Sequence, residues 1–348
     1  MTKAQFSAAP FDQMIQDQFA AAMELAFSQV TVDPLPPGHI SLEEKARGGT
    51  YAKWRRLGAD GKPASPVYVG IVGSAPYEAA LAQKEELARI DRTAKQLRKL
   101  GLATEDNASA IVLATLANAG FFRGGGVLVG TRAFRCLTNH LGYAVKPVVA
   151  TQDVDIARHQ AIALASPMPA GGLLSLLQET GLRFVDVPSL SHSEPSTSWR
   201  VVGKEIKLDL LVPSSRQNKP YQTVAIRELG AHAIALEHLE YLLADSMDAV
   251  AIGKSQLVPV RVPMPARFCW HKLAVSQLRP ATFSAKSNKD LVQAACLAVC
   301  LGFDAMDELI EARNAMSAPM RKLVIKAWPA FAATLGKDYQ TISAAMAL

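Results

Sequence analysis

The stretch that most constrains this chain is Thr151-Gln-Asp-Val-Asp-Ile-Ala157, because it sets two carboxylates, Asp153 and Asp155, one residue apart. In an extended strand, side chains two apart point to the same face, so both acids project together while Val154 and Ile156 turn towards a core. Carboxylates that close repel, and a divalent cation between them relieves the repulsion. Mg²⁺ takes oxygen ligands, commonly one or two carboxylates plus substrate phosphates. That donor set belongs to phosphoryl transfer, in which metals clamp the attacking and leaving oxygens. The same spacing also serves as a capping or solvated pair at a strand end, so the surrounding chain has to decide between them.

A chain of 348 residues is long enough for a sizeable core and for two or three domains. With 49% hydrophobic and 20% charged residues the composition is that of a globular protein, and it excludes a disordered one. The longest apolar runs, such as residues 294–303, fall far short of the ~20 residues that span a bilayer. The opening MTKAQFSAAPFDQ lacks the basic segment and apolar run of a secretory signal. The cysteines (Cys136, Cys269, Cys296 and Cys300) include no C-x-x-C pair. Cys296 and Cys300 lie four apart on an apolar helical stretch and read as buried thiols rather than zinc ligands. A cytoplasmic location is the expectation. The net charge of +6 favours polyanionic partners, nucleic acid included, and is equally compatible with an inert basic surface.

In chain order, residues 11–29 carry apolar side chains at helical spacing, from Phe11 to Phe27. Prolines and a glycine in residues 32–40 break that pattern. Residues 48–57 and 66–72 flank an Asp60-Gly61 pair and predict a hairpin. It carries Lys53, Arg55 and Arg56 beside Tyr51 and Trp54, a mixture that suits nucleic-acid phosphates and bases but is found more often on an ordinary solvated basic face. A charged helix over 77–100 follows, then an amphipathic helix over 107–118 capped by Asn107. The short apolar strand at 127–129 leads through Gly130-Thr131 into a helix over 133–141. A glycine admits a phosphate close to the backbone, and a helix start offers free N–H groups, although many strand-to-helix turns look the same.

Three strand-like runs follow at 182–187, 199–202 and 206–212. In the last, Asp209 is flanked by Leu208 and Leu210 and needs a partner that Asp153, Asp155 and a metal would supply. Asp186 is a rival third acid on a run that reads as an edge strand. Residues 226–244 predict a helix, 250–252 and 258–262 a second hairpin, and 267–278, 289–301, 304–315 and 321–335 further helices. No internal repeat is visible.

The order apolar strand, Gly130-Thr131, helix, Asp153-Val-Asp155, then Asp209 on a later strand resembles the nucleotidyltransferase superfamily with its DNA polymerase beta-like fold. The run from Val260 to Leu273, with Arg279 and Lys289-Asp290-Leu291, resembles the downstream helices of the AbiE-type abortive-infection toxin branch. The likeness is closest to bacterial nucleotidyltransferase-fold proteins that also carry the basic-aromatic hairpin, and it spans roughly residues 45–300. It implies an α+β fold with a nucleotidyltransferase mixed-sheet core over 106–265. An N-terminal helix and hairpin module over 1–105 and a C-terminal helical domain over 266–348 would flank that core.

Carried over by resemblance, Gly130 and Thr131 would hold phosphates, and Asp153, Asp155 and Asp209 would bind Mg²⁺ or Mn²⁺. Lys272 would serve both catalysis and nucleotide binding, with Lys289 and Asp290 beside it. The alternative for Lys272 is a purely structural pair with Asp290 across two helices. Arg132, a bulky cation where many relatives are small, would reach either a phosphate or solvent. Lys53, Trp54, Arg55 and Arg56 would contact nucleic acid. The implied activity moves NMP from an NTP to an acceptor hydroxyl, RNA or tRNA foremost, as a toxin or defence component with an antitoxin partner. The alternatives are a protein or small-molecule acceptor, or a nucleotide-binding module without turnover.

Overall fold

The computed structural model describes residues 6–44, 49–146, 153–159, 161–164, 168–189, 194–302 and 304–347. Thr151 and Gln152, at the head of the acidic stretch, lie outside them, as do Gly48 and Phe303.

The chain begins with β1 (Ser7–Pro10) and α1 (Gln13–Ser28), whose first turn is capped by Asp12 accepting from the Ile15 N–H at 2.9 Å. The strands β2 (His39–Glu44), β3 (Thr50–Arg55) and β4 (Val67–Ile71) form an antiparallel sheet in that order, with the Asp60-Gly61 turn between β3 and β4. The long helix α2 (Ala75–Lys99) covers one face of this sheet through Ala80 and Leu87 against Trp54.

Next come α3 (Asn107–Asn118), β5 (Gly126–Val129), α4 (Gly130–His140), β6 (Tyr143–Lys146) and β7 (Asp153–Arg158). They are followed by α5 (Gly172–Gln178), β8 (Phe184–Asp186), β9 (Ser198–Val201), β10 (Lys207–Pro213), β11 (Thr223–Ile226) and β12 (Ala231–Leu236). After α6 (Leu239–Leu243), a hairpin of β13 (Ser246–Ile252) and β14 (Leu257–Pro263) leads into the helices. These are α7 (Pro265–Ser276), α8 (Ser284–Leu301), α9 (Met306–Asn314), α10 (Ala318–Leu335) and α11 (Gln340–Met346).

The central sheet is mixed and runs β11-β12-β10-β7-β5. The strand β7 lies parallel to β10 and antiparallel to β5. One edge of β10 is shared: β9 pairs with residues 207–209 and β12 with residues 211–213. Val154, Ile156, Leu208 and Leu210 are fully buried on one side of this sheet, as alternation in the sequence predicts. Their hydrophobic cluster continues without a break into α7, α8 and α10, so the helical layer is built on the same core. Among the described residues no helix is long and apolar enough to cross a membrane.

Three expectations change. Residues 226–244 are not one helix: β11 ends at Ile226, a 3-10 turn covers Arg227–Leu229, and β12 follows. Gly230, at φ +52, reverses the chain, and Ala231, Ala233 and Ala235 bury one face of a parallel strand. Alanine favours helix, but pairing with β10 outweighs that preference. The cap of α3 is Asp106, which accepts from the Ser109 N–H at 3.0 Å, one residue before the expected Asn107. That helix is buried around most of its circumference rather than amphipathic, because β14 and α5 both pack on it.

Candidate active site

The helix α4 starts at Gly130, directly after Val129 ends β5, so the turn is tighter than a helix beginning at residue 133 would give. Gly130 has φ +67, a left-handed conformation that glycine adopts without steric penalty. A Cβ at this position would collide with the Asp155 carboxylate. The first turn of α4, with its unpaired N–H groups, therefore abuts the acid. Thr131 is buried, and its hydroxyl accepts from Gln293 Nε2 on α8 at 3.2 Å.

Asp155 stands in register with Val129 on one side and with Asp209 on the other, while Asp153 is in register with Lys207. In-register residues of a parallel pair share a face, so the sheet brings the three expected acids together on one surface. Burial pushes the Asp155 carboxyl up to about 6, and the charges of Asp209 and Asp153 add to the effect. Lys272 and Lys289 oppose it, so both lysines lie within electrostatic reach of the acid. Asp209 accepts a hydrogen bond from the hydroxyl of Ser198, its register partner on β9, and is paired with Lys207 Nζ at 2.7 Å. The rival Asp186 is exposed on β8, which among the described residues pairs with β9 only, and is not in register with either strand of the acidic pair.

Opposite the acids, Lys272 on α7 donates to Asp290 Oδ1 on α8 at 2.8 Å, and Arg279 Nε donates to Asp290 Oδ2 at 3.1 Å. Asp290 is completely buried. Burial pulls its carboxyl upward, but Lys272 and Arg279 outweigh that and hold it below the usual carboxylate range. With both oxygens engaged, Asp290 positions its neighbours rather than facing the surface of the acids. Lys272 is thus the ion-pair partner of Asp290 and also a cation within electrostatic reach of Asp155. Burial lowers the Lys289 ammonium, and neighbouring Lys272 adds to the shift.

Arg132 goes neither to a phosphate position nor to solvent. It is 1% exposed, ion-paired with Glu105 and, at 3.1 Å, with Asp106, and its Nε donates to the Asp153 carbonyl at 3.0 Å. It therefore ties α4 to the start of β7 and to the cap of α3. The hairpin also divides. Lys53 and Arg55 stay on the open face, but Trp54 is 7% exposed and its Nε1 donates to the Pro37 carbonyl at 2.6 Å. Arg56 turns inward to grip Asp33 with two hydrogen bonds of 2.7 Å.

Sequence reasoning missed Gln293, Ser198 and Glu105. Gln293 carried a signal as the one polar residue in the apolar run 291–301. Ser198 and Glu105 carried none, since their roles depend on strand pairing and on the packing of α4.

The acids offer oxygen donors only, the set that suits Mg²⁺ or Mn²⁺. Asp155 is half-buried beside two like charges, and Gly130, with no side chain, lets the start of α4 lie directly against its carboxylate. These residues fit a divalent cation. As the side chains stand, no three His, Cys, Asp or Glu groups among the described residues are gathered closely enough to enclose one. Lys207 and Ser198, which engage Asp209, would have to give way to the ion.

A family model described as nucleotidyltransferase matches residues 107–317, more than half of the chain. The chain belongs to this family. The matched span of the nucleotidyltransferase runs from α3 to α9 and contains the acids, the Gly130-Thr131 turn and the α7–α8 pair. The sheet β2-β3-β4 lies outside it. No curated protein and no solved structure matches the chain.

Proposed function

We propose that this nucleotidyltransferase moves NMP from an NTP to a hydroxyl of RNA, tRNA foremost. The observation that carries the proposal is the placement of Asp153, Asp155 and Asp209 on one face against Gly130, with Lys272 and Lys289 within electrostatic reach. Asp153, Asp155 and Asp209 would hold Mg²⁺ or Mn²⁺, which when bound neutralises triphosphate charge and the leaving pyrophosphate.

The chain supplies the rest. The N–H groups at the start of α4 and the Thr131 hydroxyl receive phosphate oxygens. Lys272 and Lys289 add positive charge on the side facing the acids, and Asp290 fixes the ammonium of Lys272 in place. Charge placed in advance, rather than covalent chemistry by the protein, is the main contribution such a site makes. The likeness of α7 and α8 to the AbiE-type branch supports RNA as acceptor, with a defence role and an antitoxin partner as corollaries.

The test is incubation with Mg²⁺, each α-labelled NTP, total RNA and a protein extract, beside an Asp155→Asn control. Label in RNA that is absent from the control supports the proposal. Label in protein moves the acceptor, and label nowhere leaves a nucleotide-binding module.

A further inference from the structure

The sheet β2-β3-β4 has two unlike faces. The face towards α2 is apolar, with Trp54 packed on Ala80 and Leu87. On the other face, Tyr51, Lys53 and Arg55 of β3 alternate away from Trp54, and Tyr68 of β4 stands opposite Lys53. Tyr68 is 55% exposed, and its ring lies 6.0 Å from that of Tyr51, tilted by 39°. Lys53 and Arg55 share one carboxylate, Glu43 on β2, at 2.7 and 3.3 Å. Two cations on one acid leave the face positive, and exposed ion pairs of this kind contribute little, so phosphates can compete for them.

The two rings form a cross-strand pair, and Tyr68 still leaves more than half of its surface open beside the cations. Aromatic rings on an exposed sheet are a platform on which unpaired bases stack, whatever their sequence. Cations between the rings take the backbone.

We propose that this face binds single-stranded nucleic acid, with bases stacked on Tyr51 and Tyr68 and phosphates on Lys53 and Arg55. The proposal deepens the RNA-acceptor function and rests on it for biological purpose. It differs from a basic hairpin that uses Trp54 and Arg56, because those two side chains are engaged with Pro37 and Asp33.

The experiment is fluorescence anisotropy of the full chain with labelled oligouridylate, oligothymidylate and duplex RNA over a salt series. Single strands of either sugar should bind more tightly than the duplex. Tyr68→Ala should weaken binding of single strands about tenfold, within the range for loss of one stacking ring, and Tyr68→Phe should restore it. Lys53→Gln and Arg55→Gln should each flatten the log–log salt slope by about 0.7, whereas Arg56→Gln should leave the slope unchanged.

Wild-type affinity in Tyr68→Ala, or a duplex bound as well as a single strand, would overturn the proposal. The two propositions fail separately. RNA labelling with unaltered binding in Tyr68→Ala removes the face and keeps the acceptor. Binding lost in Tyr68→Ala without any RNA labelling keeps the face and removes the acceptor.

Discussion

Lys272 Nζ lies 2.8 Å from Asp290 Oδ1, and Asp290 is fully buried with Arg279 on its other oxygen. The pair joins α7 to α8, and the same ammonium acts electrostatically on Asp155. Replacing Lys272 by Met leaves a buried carboxylate with one partner, and breaking such a pair costs about 3–5 kcal/mol. Lys272→Met and Asp290→Asn should therefore both lower Tm, and the double variant should lose less than the sum. NTP affinity should fall in Lys272→Met. Additive Tm losses, or wild-type NTP affinity in Lys272→Met, would separate the ion pair from the site.

Gly130 meets Asp155 with no room for a side chain, and its φ of +67 adds backbone strain for any other residue. Gly130→Ala should lose about 1–2 kcal/mol from strain alone, and more from displacing the carboxylate. The denaturant midpoint should drop, and transfer should fall further than that loss of stability explains. An alanine variant with unchanged midpoint and activity would show that the turn tolerates a Cβ and that the acid sits elsewhere in solution.

The acids divide by position. Asp153→Asn, Asp155→Asn and Asp209→Asn should each abolish transfer while the protein stays folded. Asp155→Asn should raise Tm in the absence of divalent cations, because it removes a charge crowded by two others. Asp186→Asn should leave activity intact, since Asp186 is exposed on β8 and does not reach the acidic face. Transfer assays and melting curves on the four variants check this. Activity retained in Asp209→Asn and lost in Asp186→Asn would exchange their roles.

The shared face of the acids and the glycine turn were legible because each follows from a local pattern: alternation along β7 and β10, and a glycine at a strand end; Lys272 and Lys289 came only from the family resemblance. What brings them together is pairing between residues distant in sequence, and there the local signal fails. Arg132 looked like a surface cation, yet Glu105 and Asp106, nearly thirty residues earlier, draw it inward. Trp54 and Arg56 read as one patch with Lys53 and Arg55, although strand alternation places Trp54 on the opposite face. The parallel strand β12 was hidden by its alanines, whose helix preference is weaker than the sheet that pairs with it.

Gln293 Nε2 donates to Thr131 Oγ1 at 3.2 Å, while its Oε1 is buried with no partner among the described residues. The contact ties the α4 turn to α8, the helix that also carries Lys289 and Asp290. A neutral hydrogen bond contributes about 1 kcal/mol, so Gln293→Leu should have a small effect on Tm. Its main effect should be on NTP binding, through a Thr131 hydroxyl no longer held. A double-mutant cycle with Thr131→Val, read as NTP affinity, should show coupling. Independent effects would make Gln293 a packing residue only.

His271 supplies a pH test away from the acids. It is buried on α7, and neither ring nitrogen has a partner among the described residues. Burial pushes its pKa down to about 3 from an ordinary 6.5, with Lys272, His238 and Arg279 adding to the shift and Asp290 opposing it. The native protein therefore keeps His271 neutral while the unfolded chain protonates it below 6.5. Protons bound only by the unfolded state favour unfolding, so the stability difference appears as pH falls from 6.5 towards 3. Above 6.5 both states are neutral at this position and the effect vanishes. His271→Leu removes the titrating group and two unsatisfied nitrogens, and it should match or exceed the wild-type Tm at neutral pH. The gap between variant and wild type should then widen steadily on acidification, measured by thermal melts from neutral pH down to the acid limit of folding. A gap that stays constant with pH would mean that His271 is protonated in the native state, with Asp290 as its counter-charge.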